Sequence, residues 1–246
     1  MKWPKRFPAS EYDETAVGGL KLLQPRKGFR ISHDSLLLYI SLPPGSSSVL
    51  DIGSGCGVIS LLYAGDNPSS CVTGIDILEK NRNLAYENAA RNGLSRVRFL
   101  EGDVRDYREK EPFELIFSNP PYRKAGSGRL SPSKDKNIAL YDTHLDFQSL
   151  LLAAKRLLSP QGLFFMVIWE GRREEMIEKA AEASLFPVVE MTYRGEKTSH
   201  HSFVVTGFSH DKKGIRRVSM DFDEWSQKVR ILMLREVMKG ENHEKM

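Results

Sequence analysis

Residues 118–122 read Ser-Asn-Pro-Pro-Tyr and follow directly on the apolar run Phe113, Leu115, Ile116, Phe117. A strand ending this way leaves its sheet through a stiff polar corner, because the proline ring fixes φ. One use of such a corner is a rigid turn. Another is a clamp for a flat molecule carrying an amino group. The Asn119 side-chain oxygen and the Pro120 carbonyl are then acceptors aimed in advance, Pro121 stiffens the corner, and Tyr122 offers a ring for stacking. Stacking a base on an aromatic ring contributes about 1–3 kcal/mol.

Three other apolar runs close on residues that suit a ligand. The first closes on DIGSGCG, Asp51 to Gly57. Its glycines at 53, 55 and 57 tolerate positive φ and let a ligand approach the backbone. The helix that follows aims its free N–H groups at the same place. The spacing is GxGxG. It is not the dinucleotide fingerprint, whose last glycine is replaced by Val58, and no P-loop lysine follows. The second run closes on Asp76, 23 residues after Gly53, where a carboxylate can take both hydroxyls of a ribose. The third closes on Gly102-Asp103, where a carboxylate can accept from an exocyclic amine. Each acid taken singly also fits a helix start or a turn. Three such closings in order, at regular spacing, do not arise readily from turn chemistry.

The elements that must carry these residues alternate. SVLDIG, SCVTGIDI, RVRFLEGD, PFELIFSNPPY and LFFMVIWE have the composition of strands. Between them GVISLLYAG, LEKNRNLAYENAARNGL and DFQSLLLAAKRLLSPQG have helical spacing, the second with the stop signal Asn92-Gly93. A further helix, GRREEMIEKAAEASLF, precedes two late strands, FPVVEMTYR and HHSFVVTGFS, which read as an antiparallel pair added at one edge. HDSLLLYIS, residues 33–41, reads as a short helix and the tail from 222 as helical, whereas residues 1–28 read as irregular. This alternation predicts an α/β fold with a mainly parallel sheet covered on both faces. Ligands in such sheets sit outside the carboxyl ends of the strands, where all four closings lie.

Composition narrows the alternatives. The chain has 246 residues, 40% hydrophobic and 28% charged, which suits a globular protein with a real core. No apolar stretch is long enough for a membrane helix, and the N-terminus lacks the apolar block of a secretory signal. Cys56 and Cys71 are too few for a disulfide framework or a four-ligand zinc site, and the histidines show no metal-ligand spacing. A cytoplasmic protein without metal or membrane partner is expected. The net charge of +4 permits a nucleic-acid partner. Arg123, Lys124, Arg129, Lys134 and Lys136 in the loop 123–140, and Lys212, Lys213, Arg216 and Arg217 further on, are candidate phosphate contacts. Each of them alone also fits a solvated surface.

The four closings together resemble the Rossmann-like S-adenosyl-L-methionine-dependent methyltransferases, over roughly Ile31 to Phe208. NPPY resembles the subgroup that methylates nitrogen conjugated to a ring or carbonyl. Such a nitrogen shares its lone pair with the ring and is a poor nucleophile. Two acceptors on its N–H groups favour pyramidalisation and free the lone pair towards the methyl. Upstream, LKLLQPRKGFRISHDSLLL is similar to a segment of the bacterial methyltransferases that modify N6 of adenine 37 in a valine tRNA, matching at Gln24, Pro25, Gly28, Phe29, Arg30, Asp34, Leu36 and Leu37.

The resemblance implies a seven-stranded mainly parallel sheet with an antiparallel edge strand. It implies a single domain over 1–246, with segment 1–48 covering the cofactor pocket, a catalytic core at 49–210 and a C-terminal basic segment and helix at 211–246. It implies that Asp51, Gly53, Ser54, Gly55, Gly57, Asp76, Ile77, Asp103, Val104 and Asn119 contact S-adenosyl-L-methionine, and that Asn119, Pro120, Pro121 and Tyr122 hold the base. The expected partner is tRNA, with the protein a monomer or a homodimer. Protein glutamine and rRNA guanine-N2 methyltransferases share the tetrad, and a non-catalytic RNA-binding module on the same fold is a further alternative. The glutamine enzymes usually carry a separate N-terminal helical domain, and only about 48 residues precede the first core strand here.

Overall fold

The chain alternates between strand and helix because apolar β-branched runs are separated by amphipathic segments with clear stops. The structure, a computed structural model, describes residues 7–27, 30–121, 145–195, 202–212 and 214–229. After a hairpin of β1 (Tyr12–Val17) and β2 (Leu20–Pro25) come α1 (His33–Ser41), β3 (Ser48–Ile52), α2 (Val58–Asp66), β4 (Cys71–Asp76), α3 (Glu79–Arg91), β5 (Val97–Glu101) and β6 (Phe113–Ser118). Then follow α4 (Phe147–Leu157), β7 (Leu158–Trp169), α5 (Arg173–Glu182), β8 (Phe186–Tyr193), β9 (Phe203–Ser209) and β10 (Arg216–Met220), and a helix α6 over 222–229. Tyr122, the basic loop 123–140, His144, His200, His201, Lys213 and the tail beyond 229 lie outside the described residues.

The main sheet has the order β10-β8-β9-β7-β6-β3-β4-β5. β3, β4, β5, β6 and β7 run parallel, and β9 is antiparallel to both β7 and β8. From β3 the chain moves outward through β4 to β5, then returns to lay β6 on the other side of β3. The strand order therefore reverses between β3 and β6, and a crevice opens at their carboxyl ends. Helices cover both faces. One core cluster gathers Leu36, Leu61, Tyr63 and Phe99 with α1, α2 and α3; the other gathers Leu50, Phe147, Leu151 and Met176 with α4 and α5. No helix among the described residues is long and apolar enough to cross a membrane.

Four details depart from the sequence-based expectation. The sheet has eight strands rather than seven, because Arg216–Met220 pairs in parallel with β8. Its antiparallel strand is not at the edge: β9 sits between β7 and β8, so both of its rows of backbone groups are paired. Residues 12–25, expected to be irregular, form a hairpin whose two-residue loop is Gly18-Gly19, both at positive φ. That is the glycine pair a tight hairpin turn requires. In addition, α4 stops at Leu157 and β7 begins at once, so Ser159 to Gly162, expected to finish the helix, belong to the strand.

The hairpin is held by asparagines. The Leu23 N–H donates to Asn88 Oδ1 at 2.7 Å, and Asn88 Nδ2 donates to Leu23 O at 3.0 Å and Cys56 O at 2.9 Å. One turn on, the Lys21 N–H donates to Asn92 Oδ1 at 2.9 Å and Asn92 Nδ2 donates to Lys21 O at 3.0 Å. Four helical residues rise about 6 Å and two strand residues about 6.8 Å, so the spacings match. The helix thus offers β2 the amide pattern of a neighbouring strand. Asn88 is fully buried, and its loss orphans three backbone groups. Asn88→Ala should lower the unfolding free energy by about 3 kcal/mol in urea titration, and the more exposed Asn92→Ala by about 1 kcal/mol.

Candidate active site

The crevice is lined by the ends of four strands and by the segment leading into α1. At the end of β3 the loop Gly53-Ser54-Gly55 turns back because the Gly53 and Ser54 N–H groups both donate to Ile75 O, at 2.8 and 3.1 Å. Gly53 and Gly55 hold φ of 76° and 56°, and a Cβ at either would project into open space. The backbone there is laid open for a ligand. Ser54 is buried and lines the same space, and its Oγ has no hydrogen-bond partner in the protein. A buried hydroxyl left so is costly unless a ligand or water completes it.

Asp76 closes β4 with three donors on its carboxylate. Gly55 N–H reaches Oδ2 at 2.8 Å, while Leu78 N–H and Asn81 Nδ2 reach Oδ1 at 2.9 and 3.1 Å. About three of its four lone-pair positions are filled, so a grip on two ribose hydroxyls requires sharing. Burial raises its pKa, and the backbone donors and Asn81 oppose the rise. Asp51 lies deeper, 2% exposed, and accepts from Ser60 Oγ at 2.6 Å. Burial pushes its carboxyl up to about 7; the Ser60 bond opposes this and the nearby Asp76 adds to it. Two buried carboxylates facing one cavity favour a ligand that brings positive charge.

Asp103, with Val104 and Ile77, lies on the same cavity. Val104 is buried and Ile77 is 41% exposed, together an apolar wall. The Asp103 carboxylate is engaged by Arg105: the backbone N–H donates to Oδ1 at 2.9 Å and Nε to both oxygens at 3.0 Å. The acid expected to receive an amine is therefore held by a guanidinium two residues on, in an exposed pair that solvent screens. Gly57 does not line the cavity. Its φ of 85° starts α2, and a Cβ there would stand 2.9 Å from the buried Phe99 ring, which Gly74 also accommodates. It is a packing and turn glycine.

Asn119, Pro120 and Pro121 line the cavity at the end of β6, next to Ser118, whose Oγ donates to Ile52 O at 2.8 Å. Asn119 Nδ2 donates to Ser35 Oγ at 3.0 Å. Arg30, Ile31 and Ser35 border the cavity, as do Leu78 and Asn81 at the start of α3; motif spacing marked none of these as contacts. Trp225 is core, its ring edge-on to Phe222 and its indole N–H on Arg194 O at 2.7 Å. Arg217, a candidate phosphate contact, faces the buried Glu190 at 3.6 Å. Among the described residues no three His, Cys, Asp or Glu side chains could hold a metal ion.

The raised Asp51 value has a sign that can be checked. Between its unfolded value of 3.8 and about 7 the folded state holds the extra proton, so stability falls as pH rises through that window and levels off above it. Asp51→Asn keeps an acceptor for Ser60 but cannot ionise. In thermal melts its loss of Tm between pH 5 and 8 should be smaller than that of the wild type.

Comparison with known proteins agrees with this geometry. Residues 30–187 match the model of the methyltransferase small domain family. The tRNA1(Val) (adenine(37)-N6)-methyltransferase of Aeromonas salmonicida is 33% identical over 168 residues, 66% of this chain and 69% of that protein. The protein of the same name from Aeromonas hydrophila is 34% identical over the same length and shares. That of Pedobacter heparinus is 26% identical over 225 residues, 83% of this chain and 91% of that protein. Among solved structures, a methyltransferase from Pyrococcus furiosus superposes with a TM-score of 0.56 at 19% identity, covering 78% of this chain and 90% of its own. A predicted O-methyltransferase from Agrobacterium tumefaciens does so at 0.55 and 17%, covering 76% and 85%. These two share the fold. The chain belongs to the methyltransferase small domain family, among relatives named as tRNA1(Val) (adenine(37)-N6)-methyltransferases.

Proposed function

We propose that this chain transfers a methyl group from S-adenosyl-L-methionine to N6 of an adenine in tRNA, at position 37 of a valine tRNA as its relatives are named. The supporting observation is that one crevice joins an open glycine loop with an orphaned buried hydroxyl, two buried carboxylates and a proline-stiffened Asn119. The residues present fit the cofactor. Ser54 lacks a partner, a Cβ at Gly53 or Gly55 would fill the cradle, and the acids suit a cation. Ser54, Gly53 and Gly55 would hold its methionine end, Asp76 with Asn81 its ribose, and Val104 and Ile77 the faces of its adenine, with Asp103 at the adenine's edge.

When bound, the sulfonium supplies an electrophilic methyl. The chain's own residues present the nucleophile. The Asn119 Oδ1 and the Pro120 carbonyl accept the two N–H groups of the target amine, which leaves its lone pair pointing towards the cofactor side. The prolines hold the backbone and the Pro120 carbonyl in place beforehand, so little backbone ordering is lost on binding. Tyr122 would offer its ring for stacking on the base. No strong base would be required of the chain while the methyl is transferred; the amine proton departs afterwards to water. The whole chain works as one catalytic unit in the cytoplasm, with the N-terminal segment 1–48 covering the cofactor pocket.

Labelled S-adenosylmethionine incubated with tRNA from a strain lacking the protein should yield N6-methyladenosine on nucleoside analysis. Asn119→Ala should reduce that yield at least a hundredfold while S-adenosylhomocysteine still binds within about threefold. Label found only in protein glutamine or in rRNA guanine would replace the tRNA substrate; no transfer to any of them would leave a binding module.

A further inference from the structure

Asn119 is oriented by a residue outside the strand that carries it. Its Nδ2 donates to Ser35 Oγ at 3.0 Å across 84 residues of sequence. Ser35 is 3% exposed in the first turn of α1, and its Oγ lies 3.2 Å from Ser32 Oγ. Ser32 occupies the N-cap of α1 with extended backbone, yet its hydroxyl makes no capping bond. A serine there ordinarily accepts from an N–H two or three residues on. Here the hydroxyl is turned to Ser35 instead.

The three side chains form a row. An amide nitrogen only donates, so with Nδ2 on Ser35 the Asn119 Oδ1 is left for the cavity that Asn119 lines, while the Ser32–Ser35 bond can run in either direction. With the amide reversed, Ser35 would donate to Oδ1, and two N–H donors would meet the N–H donors of a substrate amine. Only the first arrangement offers an acceptor.

We infer that Ser35 is a positioning residue for methyl transfer. Its hydroxyl holds the amide in the orientation in which Asn119 Oδ1 faces the substrate, and Ser32 completes the row. The inference rests on the amine-methylating reading of the site. It names a contribution of the N-terminal segment to the reaction besides covering the cofactor.

The test pairs a spectroscopic signature with kinetics. In 15N-labelled protein the side-chain NH2 resonances of Asn119 are identified by their loss in Asn119→Ala. Their solvent exchange should be slow in the wild type, fast in Ser35→Ala and slow again in Ser35→Thr. In single-turnover assays on tRNA, Ser35→Ala should lower the rate roughly tenfold, about one hydrogen bond's worth. KM for tRNA and the affinity for S-adenosylhomocysteine should stay within twofold, and Ser35→Thr should recover most of the rate. Ser32→Ala, which removes no cap, should lower the rate about twofold with an unchanged melt. Unaltered exchange in Ser35→Ala overturns the inference, as does a parallel fall of rate, affinity and Tm in both Ser35 variants. If wild-type protein methylates no tRNA, the substrate reading fails by itself, and the resonances alone decide whether Ser35 orients the amide.

Discussion

The site depends first on one carboxylate. Asp76 ends β4, but its oxygens are held by an N–H from the loop after β3 and by two donors from the start of α3. A buried carboxylate without such donors would be costly, so the three elements are obliged to meet at it. The glycine loop is folded back against β4 by its own backbone bonds to Ile75 O, which sustain the positive φ values of Gly53 and Gly55.

The substrate half is built differently. The prolines of the tetrad fix its backbone, but the amide of Asn119 turns about its own side chain, and its partner lies on α1. That helix and the hairpin before it are outside the alternating core. Arg30 donates to Asp13 and to Pro25 O, at 2.9 and 3.3 Å, and the Ile31 N–H donates to Gln24 Oε1 at 3.2 Å, which binds the entry to α1 onto the hairpin. The reacting end of the site thus takes its geometry from a segment tied to the hairpin by polar contacts and to the core by Leu36, Leu37 and Leu38.

Much of this was legible in the sequence, for definite reasons. Strand ends in a parallel sheet announce themselves as an apolar run followed by Gly, Asp or Pro, so Asp51, Asp76, Asp103 and Asn119 all lie on the crevice where spacing put them. What was not legible depends on which side chains meet. Gly57 belongs to the motif but serves Phe99, a relation visible only once β5 lies beside β4. Asp103 looks like a free acceptor until Arg105 folds back on it. Asn81, Ser35 and Arg30 sit on helices or loops whose pattern locates the element but not which side chain faces the crevice, and their roles arise from tertiary placement. The Gly18-Gly19 hairpin did carry a local signal, masked by the charged residues around it. The eighth strand carried none, since a short basic run such as Arg216–Met220 pairs only because β8 leaves an edge open.

The asparagine ladder between α3 and β2 has a consequence for how the chain assembles. The amides of Asn88 and Asn92 stand in strand-like register only when α3 is already helical. The hairpin is synthesised first but can dock only after residue 92 has emerged and α3 has coiled. Until then the outer edge of β2 is an unsatisfied row of backbone groups, open to any passing strand. The N-terminal segment, although made first, is therefore completed only after α3.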